Sequence, residues 1–296
     1  MRSRAGLTLV EVLTLTAVLG FLLLFVVPMI QSARSGHGPT CQRNLQNLAL
    51  AINNYAIQKH VFPPSTTGGP AGGLAHAWTA LILNDLDQFD LAHSYNFEVA
   101  SYAPANRQVV GTFLRLQVCP DNPQSPLTWN PSERVRRADG SSYSAGVEYA
   151  RGDYAANWGG GRLAGFGDHF AATRGNYRGV MTPIGFPSPR GVARPIGPDD
   201  VADGLGTTIL LGEKRASQGW AVGGYAGSEF DVSLSPQSPD RPGVRTVVSG
   251  SYHRGGGVNF AFADGSARYI SGTIDREVWY ALITRDGGET VGADSY

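Results

Sequence analysis

The chain is poor in charge and in sulfur. Of its 296 residues only 16% are charged, 24 basic against 24 acidic, and no basic run follows the first few residues. A nucleic-acid surface needs clustered lysine and arginine, so no nucleic-acid partner is expected. There are only two cysteines, Cys41 and Cys119. Neither has a cysteine or histidine at ligand spacing, so a zinc ribbon or finger carries no signal and no metal site is expected. Also absent are the G-x-S-x-G elbow, the H-E-x-x-H pair and the phosphate-binding loop, which removes the common nucleophile, zinc and nucleotide arrangements. No cofactor is expected. Glycine (39) and proline (18) are abundant, and 42% hydrophobic content argues against disorder. The profile is that of a loop-rich, mostly β domain.

One apolar run stands out. From Leu7 to Ile30 there is a single formal charge, Glu11, and three threonines; the rest is apolar, glycine or proline. As a helix the run would be about 36 Å long, enough to cross a hydrocarbon core of about 30 Å. Arg2 and Arg4 precede it without an acidic residue. The positive-inside rule then places the N-terminus in the cytoplasm and the rest of the chain outside. The alternative is a secretory signal peptide, which has a shorter core and a small-residue cleavage site. Ser32-Ala33-Arg34 is the only approach to such a site.

Glu11 is the residue to explain. A carboxylate in a transmembrane segment costs about 2.5–3.5 kcal/mol on insertion scales and marks a functional position unless it reaches the interface. The stretch Arg4-Ala5-Gly6-Leu7-Thr8-Leu9-Val10-Glu11 resembles the processing site of type IV prepilins and type II secretion pseudopilins. The resemblance implies cleavage after Gly6 by a prepilin peptidase and methylation of the new amino terminus, Leu7. It also implies that Glu11 pairs with the terminal amine of a neighbouring subunit. An opposite charge delivered to a buried carboxylate makes it tolerable.

Beyond the run, SARSGHGPT should kink or interrupt the helix. Cys41, Leu45, Leu48, Ile52 and Tyr55 then recur at three- and four-residue intervals, a core-facing stripe that ends before Pro63-Pro64. Ala77–Leu86 reads as a short helix. GTFLRLQVCP reads as a strand delivering Cys119, and GTTILLGEK as a buried strand. Val258, Phe260 and Phe262 alternate with Asn259, Ala261 and Ala263 before Asp264-Gly265, which predicts a hairpin with a two-residue type I′ turn. A last helix is expected over Asp275–Thr284. Outside the membrane, an even cysteine pair is most simply one disulfide, Cys41–Cys119; two buried thiols are the other option.

An enzyme would have to rest on His253, Asp264 and Glu213. Asp264 is accounted for by its turn, and His253 reads more readily as a hydrogen bond at a strand end than as a ligand or base. Asp199, Asp200 and Asp203 invite a calcium loop, but Val201 and Leu210 occupy two ligand positions. Trp78, Trp129, Trp158 and Trp220 could stack on a glycan, although tryptophans in loop-rich β domains more often plug a core.

The segments CQRNLQNLALAINNYAIQKHVFPPS, VCPDNP, YAANWGG, ADGLGTTILLGE and YHRGGGVNFAFADGSARYI together resemble a prepilin-like family of unknown function. That family has a C-terminal His, nine residues, Asp-Gly signature, here His253, Asp264 and Gly265. The spacing departs from the signature: ten residues separate His253 from Asp264, because RGGGV carries an extra glycine. A bulge before the strand would absorb it.

The expected architecture is α+β. A leader (1–6) precedes a transmembrane helix (7–35), which continues with a kink into an extracytoplasmic pilin-like domain (36–296) built on an antiparallel sheet with long Gly/Pro-rich loops. The expected function is non-enzymatic: a single-pass, inner-membrane pilin-like or pseudopilin-like subunit, or a cell-surface filament component. Its partners would be the prepilin peptidase, other pilin-like subunits and the membrane. The alternative is a membrane-anchored binding module, glycan-binding in one version, that never polymerises.

Overall fold

The computed structural model describes residues 9–16, 18–21, 38–68, 76–101, 103–123, 128–129, 148–160, 177–185, 194–223, 227–236, 248–253, 255–292 and 295–296. The chain divides into two units, Met1–His37 and Gly38–Tyr296. In the first, residues 9–16 and 18–21 are helical. Leu9, Val10, Leu13, Leu15, Val18, Leu19 and Phe21 are exposed there. The hydroxyls of Thr14 and Thr16 donate back to carbonyls of the preceding turn, Thr14 to Val10 and Glu11, Thr16 to Val12 and Leu13. Hydroxyls bonded in this way need no water. Among the described residues no helix is long and apolar enough to cross a membrane. Half of the apolar run Leu7–Ile30, including Leu7, lies outside them, as does Gly6.

The second unit opens with α1 (Gly38–Lys59), which buries Cys41, Leu45, Leu48, Ala49, Ala51, Ile52 and Ala56 along one face. Gly38-Pro39 begins this helix, because proline has no N–H to leave unpaired in a first turn. The remaining helices are short: α2 (Trp78–Leu81), α3 (Phe89–Ser94), α4 (Arg107–Val110) and α5 (Arg276–Ile283). The predicted helix over Ala77–Leu86 is broken into α2 and a 3-10 turn at Asn84–Leu86. The helix predicted at Asp275 is α5, capped by the Asp275 carboxylate on the amides of Glu277 and Val278.

Strands β1 (Thr66–Thr67) and β2 (His76–Ala77) form a small pair. The main sheet is antiparallel, with strands in chain order: β3 (Thr128–Trp129), β4 (Tyr149–Ala156), β5 (Ile209–Gly219), β6 (Gly257–Phe262) and β7 (Ala267–Ser271). Alternate residues of β6 serve two cores. Ala261 and the following Ala263 pack with Ala267, Leu210 and the buried face of α1. Val258, Phe260 and Phe262 pack with Phe230, Val232 and Trp279 of α5. Alanines on the first face let a helix lie close to the sheet; phenylalanines fill the second. A third cluster joins Leu83, Tyr95, Val110 and Leu114 to Tyr149 and Trp220.

Two expectations need correction. GTFLRLQVCP is not a strand: Arg115–Gln117 is a 3-10 turn, and the segment crosses to Cys119 without joining a ladder. Its apolar residues face the clusters on either side, with Leu114 in one and Cys119 in another, which imitates strand alternation. The β6–β7 connection is a three-residue loop, not a type I′ turn. Phe262 N–H donates to Ser266 O and Gly265 N–H to Phe262 O, and only Gly265 of the loop has positive φ, +89°. A type I turn followed by a left-handed glycine is the geometry of the next commonest hairpin.

Four of the five tryptophans are core residues with one polar tether each. Trp78, Trp158, Trp220 and Trp279 are buried, and their indole N–H groups donate to the carbonyls of Ser228, Phe230, Thr112 and Val232.

Gly212 on β5 is required by close approach. A Cβ there would lie 2.5 Å from the Phe260 ring and 3.2 Å from Phe230. Phe260 cannot retreat, because Trp279 and Phe230 flank it at ring-centroid distances of 5.4 and 6.2 Å. Gly212→Ala is therefore expected to destabilise the protein by about 1–3 kcal/mol through overpacking. Urea unfolding of the full chain in detergent measures it, and an unchanged or raised midpoint would contradict this packing.

Candidate functional site

The largest concentration of buried polar chemistry surrounds the disulfide between Cys41 and Cys119, whose Cα atoms are 5.4 Å apart across 78 residues of sequence. It joins the first turns of α1 to the connector before β3, not to a strand. The connector is fixed at both faces. Asn44 Nδ2 of α1 donates to Val118 O and to the Tyr154 hydroxyl, both at 3.2 Å. The Cys119 amide donates to Asp153 Oδ2 of β4 at 2.9 Å. Asp153 Oδ1 accepts from Arg151 Nε at 2.8 Å and from Asn122 at 3.3 Å. Burial pushes the Asp153 carboxyl up to about 7 against the pull of Arg151 and the Cys119 amide. The terminal nitrogens of Arg151, Nη1 and Nη2, are buried and meet no hydrogen-bond partner among the described residues.

Beside the disulfide lies a histidine between two carboxylates. His253 Nε2 is 2.8 Å from Glu213 Oε1 of β5, and His253 Nδ1 is 2.7 Å from Asp121 Oδ2 on the connector. The other oxygen of Glu213 accepts from the Asn259 amide at 2.9 Å and from its side chain at 3.2 Å, both on β6. Glu213 is 2% exposed and His253 4%. With an acceptor at each ring nitrogen, the imidazolium satisfies both contacts. Burial opposes that charge, but Glu213 and Asp121 outweigh it and hold the His253 pKa above its ordinary value. His253 Nε2 also lies 3.8 Å from Cys119 Sγ.

The loop holding His253 is shaped by Ser251, whose hydroxyl accepts from the His253 amide at 3.2 Å and donates to Gly257 O at 2.6 Å. Gly255 and Gly256 both have positive φ, +102° and +78°. The β6–β7 ladder is continuous from Gly257↔Ser271 to Ala261↔Ala267. The extra glycine is therefore absorbed in the turn before β6 and does not interrupt the pairing.

Of the residues singled out in the sequence, His253, Glu213, Cys41 and Cys119 come together. Asp264 does not: it sits at the far end of β6, where its carboxylate accepts from the Ser266 amide at 2.8 Å, next to Gly265. Asp121 was missed, because VCPDNP reads as a turn and gives no cue that its carboxylate meets a histidine 132 residues later. Two of the three candidate calcium residues, Asp200 and Asp203, are engaged with protein donors. Asp200 pairs with Arg194 at 2.8 Å and accepts from the Gly197 amide at 2.8 Å. Asp203 accepts from the amides of Gly287 and Gly288. Cys41, Cys119, Glu213 and His253 present metal-ligating atom types that all lie within 4.8 Å of one another.

These contacts lie within the matched span of a known family. The chain belongs to the family described as a protein of unknown function (DUF1559), whose model covers residues 31–277. No curated protein and no solved structure matches the chain. The span includes both cysteines, Glu213, His253 and Asp264; Gly6, Leu7 and Glu11 precede it.

A second buried polar cluster lies near β5. Lys214 Nζ donates to Glu229 O at 2.9 Å, and Glu229 Oε1 accepts from Ser65 at 2.6 Å and Thr66 at 3.0 Å. Burial pulls the Lys214 pKa down to about 7, with Glu229 opposing. A lowered folded-state pKa contributes stability that is present above the unfolded value, about 10.4, and is lost as pH falls through about 7. The slope in that window is up to about 1.4 kcal/mol per pH unit. Lys214→Met should therefore gain on the wild type as pH drops from 9.5 towards 7. Unfolding midpoints of both proteins at the two pH values check it; a constant difference would contradict the assignment.

Proposed function

We propose that the protein is a membrane-inserted, prepilin-peptidase-processed subunit of pilin-like or pseudopilin-like type, acting in assembly or interaction at the cell envelope. The observation that carries this is Glu11: a carboxylate on a helix whose described neighbours Leu9, Val10, Val12, Leu13 and Leu15 are all apolar and exposed. Threonine hydroxyls turned back onto the helix support a lipid-facing surface. An apolar helix with one carboxylate fits an environment that is mostly lipid but supplies one cation. The amine of a neighbouring subunit's Leu7 is the cation that the processing motif would create. The extracytoplasmic unit then gives each subunit its outer surface, a helix laid on an antiparallel sheet.

Two measurements test this. Intact mass of the native protein should show a chain starting at Leu7 with a methylated amine; a start at Met1 or near Ser35 sinks it. Glu11→Leu should leave insertion intact, because the helix becomes more apolar. It should lose membrane crosslinking to neighbouring subunits by about a hundredfold or more, since removing one partner of a buried pair costs about 3–5 kcal/mol. Normal crosslinking by the variant would favour the anchored, non-polymerising binding module.

A further inference from the structure

We infer that Cys41, Cys119, His253 and Glu213 form a redox-gated zinc site: the disulfide form holds no metal, and the dithiol form binds one Zn²⁺. The site lies wholly within the outer unit and does not depend on how that unit is anchored.

Donor type and placement carry the inference. Two sulfurs, one imidazole nitrogen and one carboxylate oxygen converge from α1, the connector, the loop before β6 and strand β5, all within 4.8 Å of one another. A tetrahedral zinc takes four such ligands, with Zn–S about 2.3 Å and Zn–N and Zn–O about 2.0–2.2 Å. Ligand atoms around one ion then lie roughly 3–4 Å apart, and His253 Nε2 is already 2.8 Å from Glu213 Oε1 and 3.8 Å from Cys119 Sγ. Thiolates and imidazole select zinc over calcium or magnesium, which require oxygen ligands.

The surroundings are arranged as they are around protein zinc sites. A ligating histidine usually donates its other ring N–H to a carboxylate, and ligating carboxylates are themselves hydrogen-bonded. Here His253 Nδ1 is 2.7 Å from Asp121 Oδ2, which leaves Nε2 pointing at the sulfurs. Glu213 Oε2 is held by both nitrogens of Asn259, which leaves Oε1 on the same side. Asp153 is not a ligand, since its oxygens hold the Cys119 amide and Arg151. Entry is from the Asp121 side, where that carboxylate is 17% exposed and the other groups are closed off.

The chemistry balances with a phosphine or dithiol reductant: a phosphine attacks one sulfur, the S–S bond breaks, and water supplies the oxygen of the phosphine oxide and the two thiol protons. A dithiol passes two electrons and two protons to the Cys41–Cys119 bond, which breaks to two thiols while the reductant closes its own disulfide. Zn²⁺ then replaces the two thiol protons and the proton on His253 Nε2, which go to solvent. Oxidation by a small-molecule disulfide runs in the opposite sense: that disulfide accepts two electrons and two protons and becomes two thiols, the Cys41 and Cys119 sulfurs rejoin and the ion leaves.

The test uses the full chain in detergent, reduced with tris(carboxyethyl)phosphine and titrated with Co²⁺ and Zn²⁺. Reduced wild type should bind one Co²⁺ per chain, with the thiolate-to-cobalt charge-transfer band and the visible bands of a tetrahedral ion. Zn²⁺ should displace it. The disulfide form should show neither band, and Cys41→Ser should abolish the charge-transfer signal in large part. Asp121→Asn, which removes the outer carboxylate partner of His253, should weaken binding about 10–100-fold. If reduction without metal loosens the fold, Zn²⁺ should restore a cooperative melt, followed by circular dichroism. The proposal fails if the reduced chain gives no thiolate band, if the disulfide form binds as tightly, or if Zn²⁺ does not restore a lost melt.

Discussion

The carboxylate of Glu213 lies in the middle of the central sheet, almost wholly out of water, and much of the second unit, Gly38–Tyr296, is arranged around meeting its charge. A buried carboxylate without donors would take up a proton or open the fold. Asn259 supplies two N–H groups from the adjacent strand, and His253 supplies a third from the loop that precedes it. His253 in turn draws in Asp121, and with it the connector bearing Cys119. One charge thus fixes the register of β5 against β6, the path of the 251–257 loop and the seat of the connector under α1. The disulfide closes the same circuit covalently.

What could be read from the sequence divides along a physical line. The stripe Cys41, Leu45, Leu48 and Ile52 was legible because helix periodicity is local, and so was the alternation in β6. The tryptophans were legible as core plugs because each combines a large apolar ring with a single N–H. The connector at 111–119 was misread because strand-like alternation becomes a strand only where a neighbour offers a ladder, and here none does. The hairpin was placed correctly, but its turn type was not: Asp-Gly permits both the two-residue and the three-residue loop.

The candidate site was only half visible. His253 and Glu213 stand out together as enzyme candidates in the sequence, yet their contact is not legible there, since His253 follows Glu213 by 40 positions and Asp121 by 132. No spacing rule links residues that meet through tertiary packing. Asp121, next to proline and asparagine, carries a sufficient local explanation as a turn residue, which hides its role. Asp264 shows the reverse: it belongs to a family signature with His253, yet its work is confined to its own turn.

The position of the disulfide also sets how the second unit would bear load. The chain enters this unit at Gly38, and the covalent cross-link sits one helical turn further on. Tension on the preceding segment therefore passes within about 5 Å of rise from α1 to Cys119, and through the Cys119 amide and Asp153 into β4. The helix is loaded near its anchored end, so its buried face does not unzip turn by turn from the sheet. Force is instead handed to the connector and to β4. Breaking the sulfur bond would shift the same pull onto the packing of Leu45, Leu48 and Ile52, contacts that give way one after another.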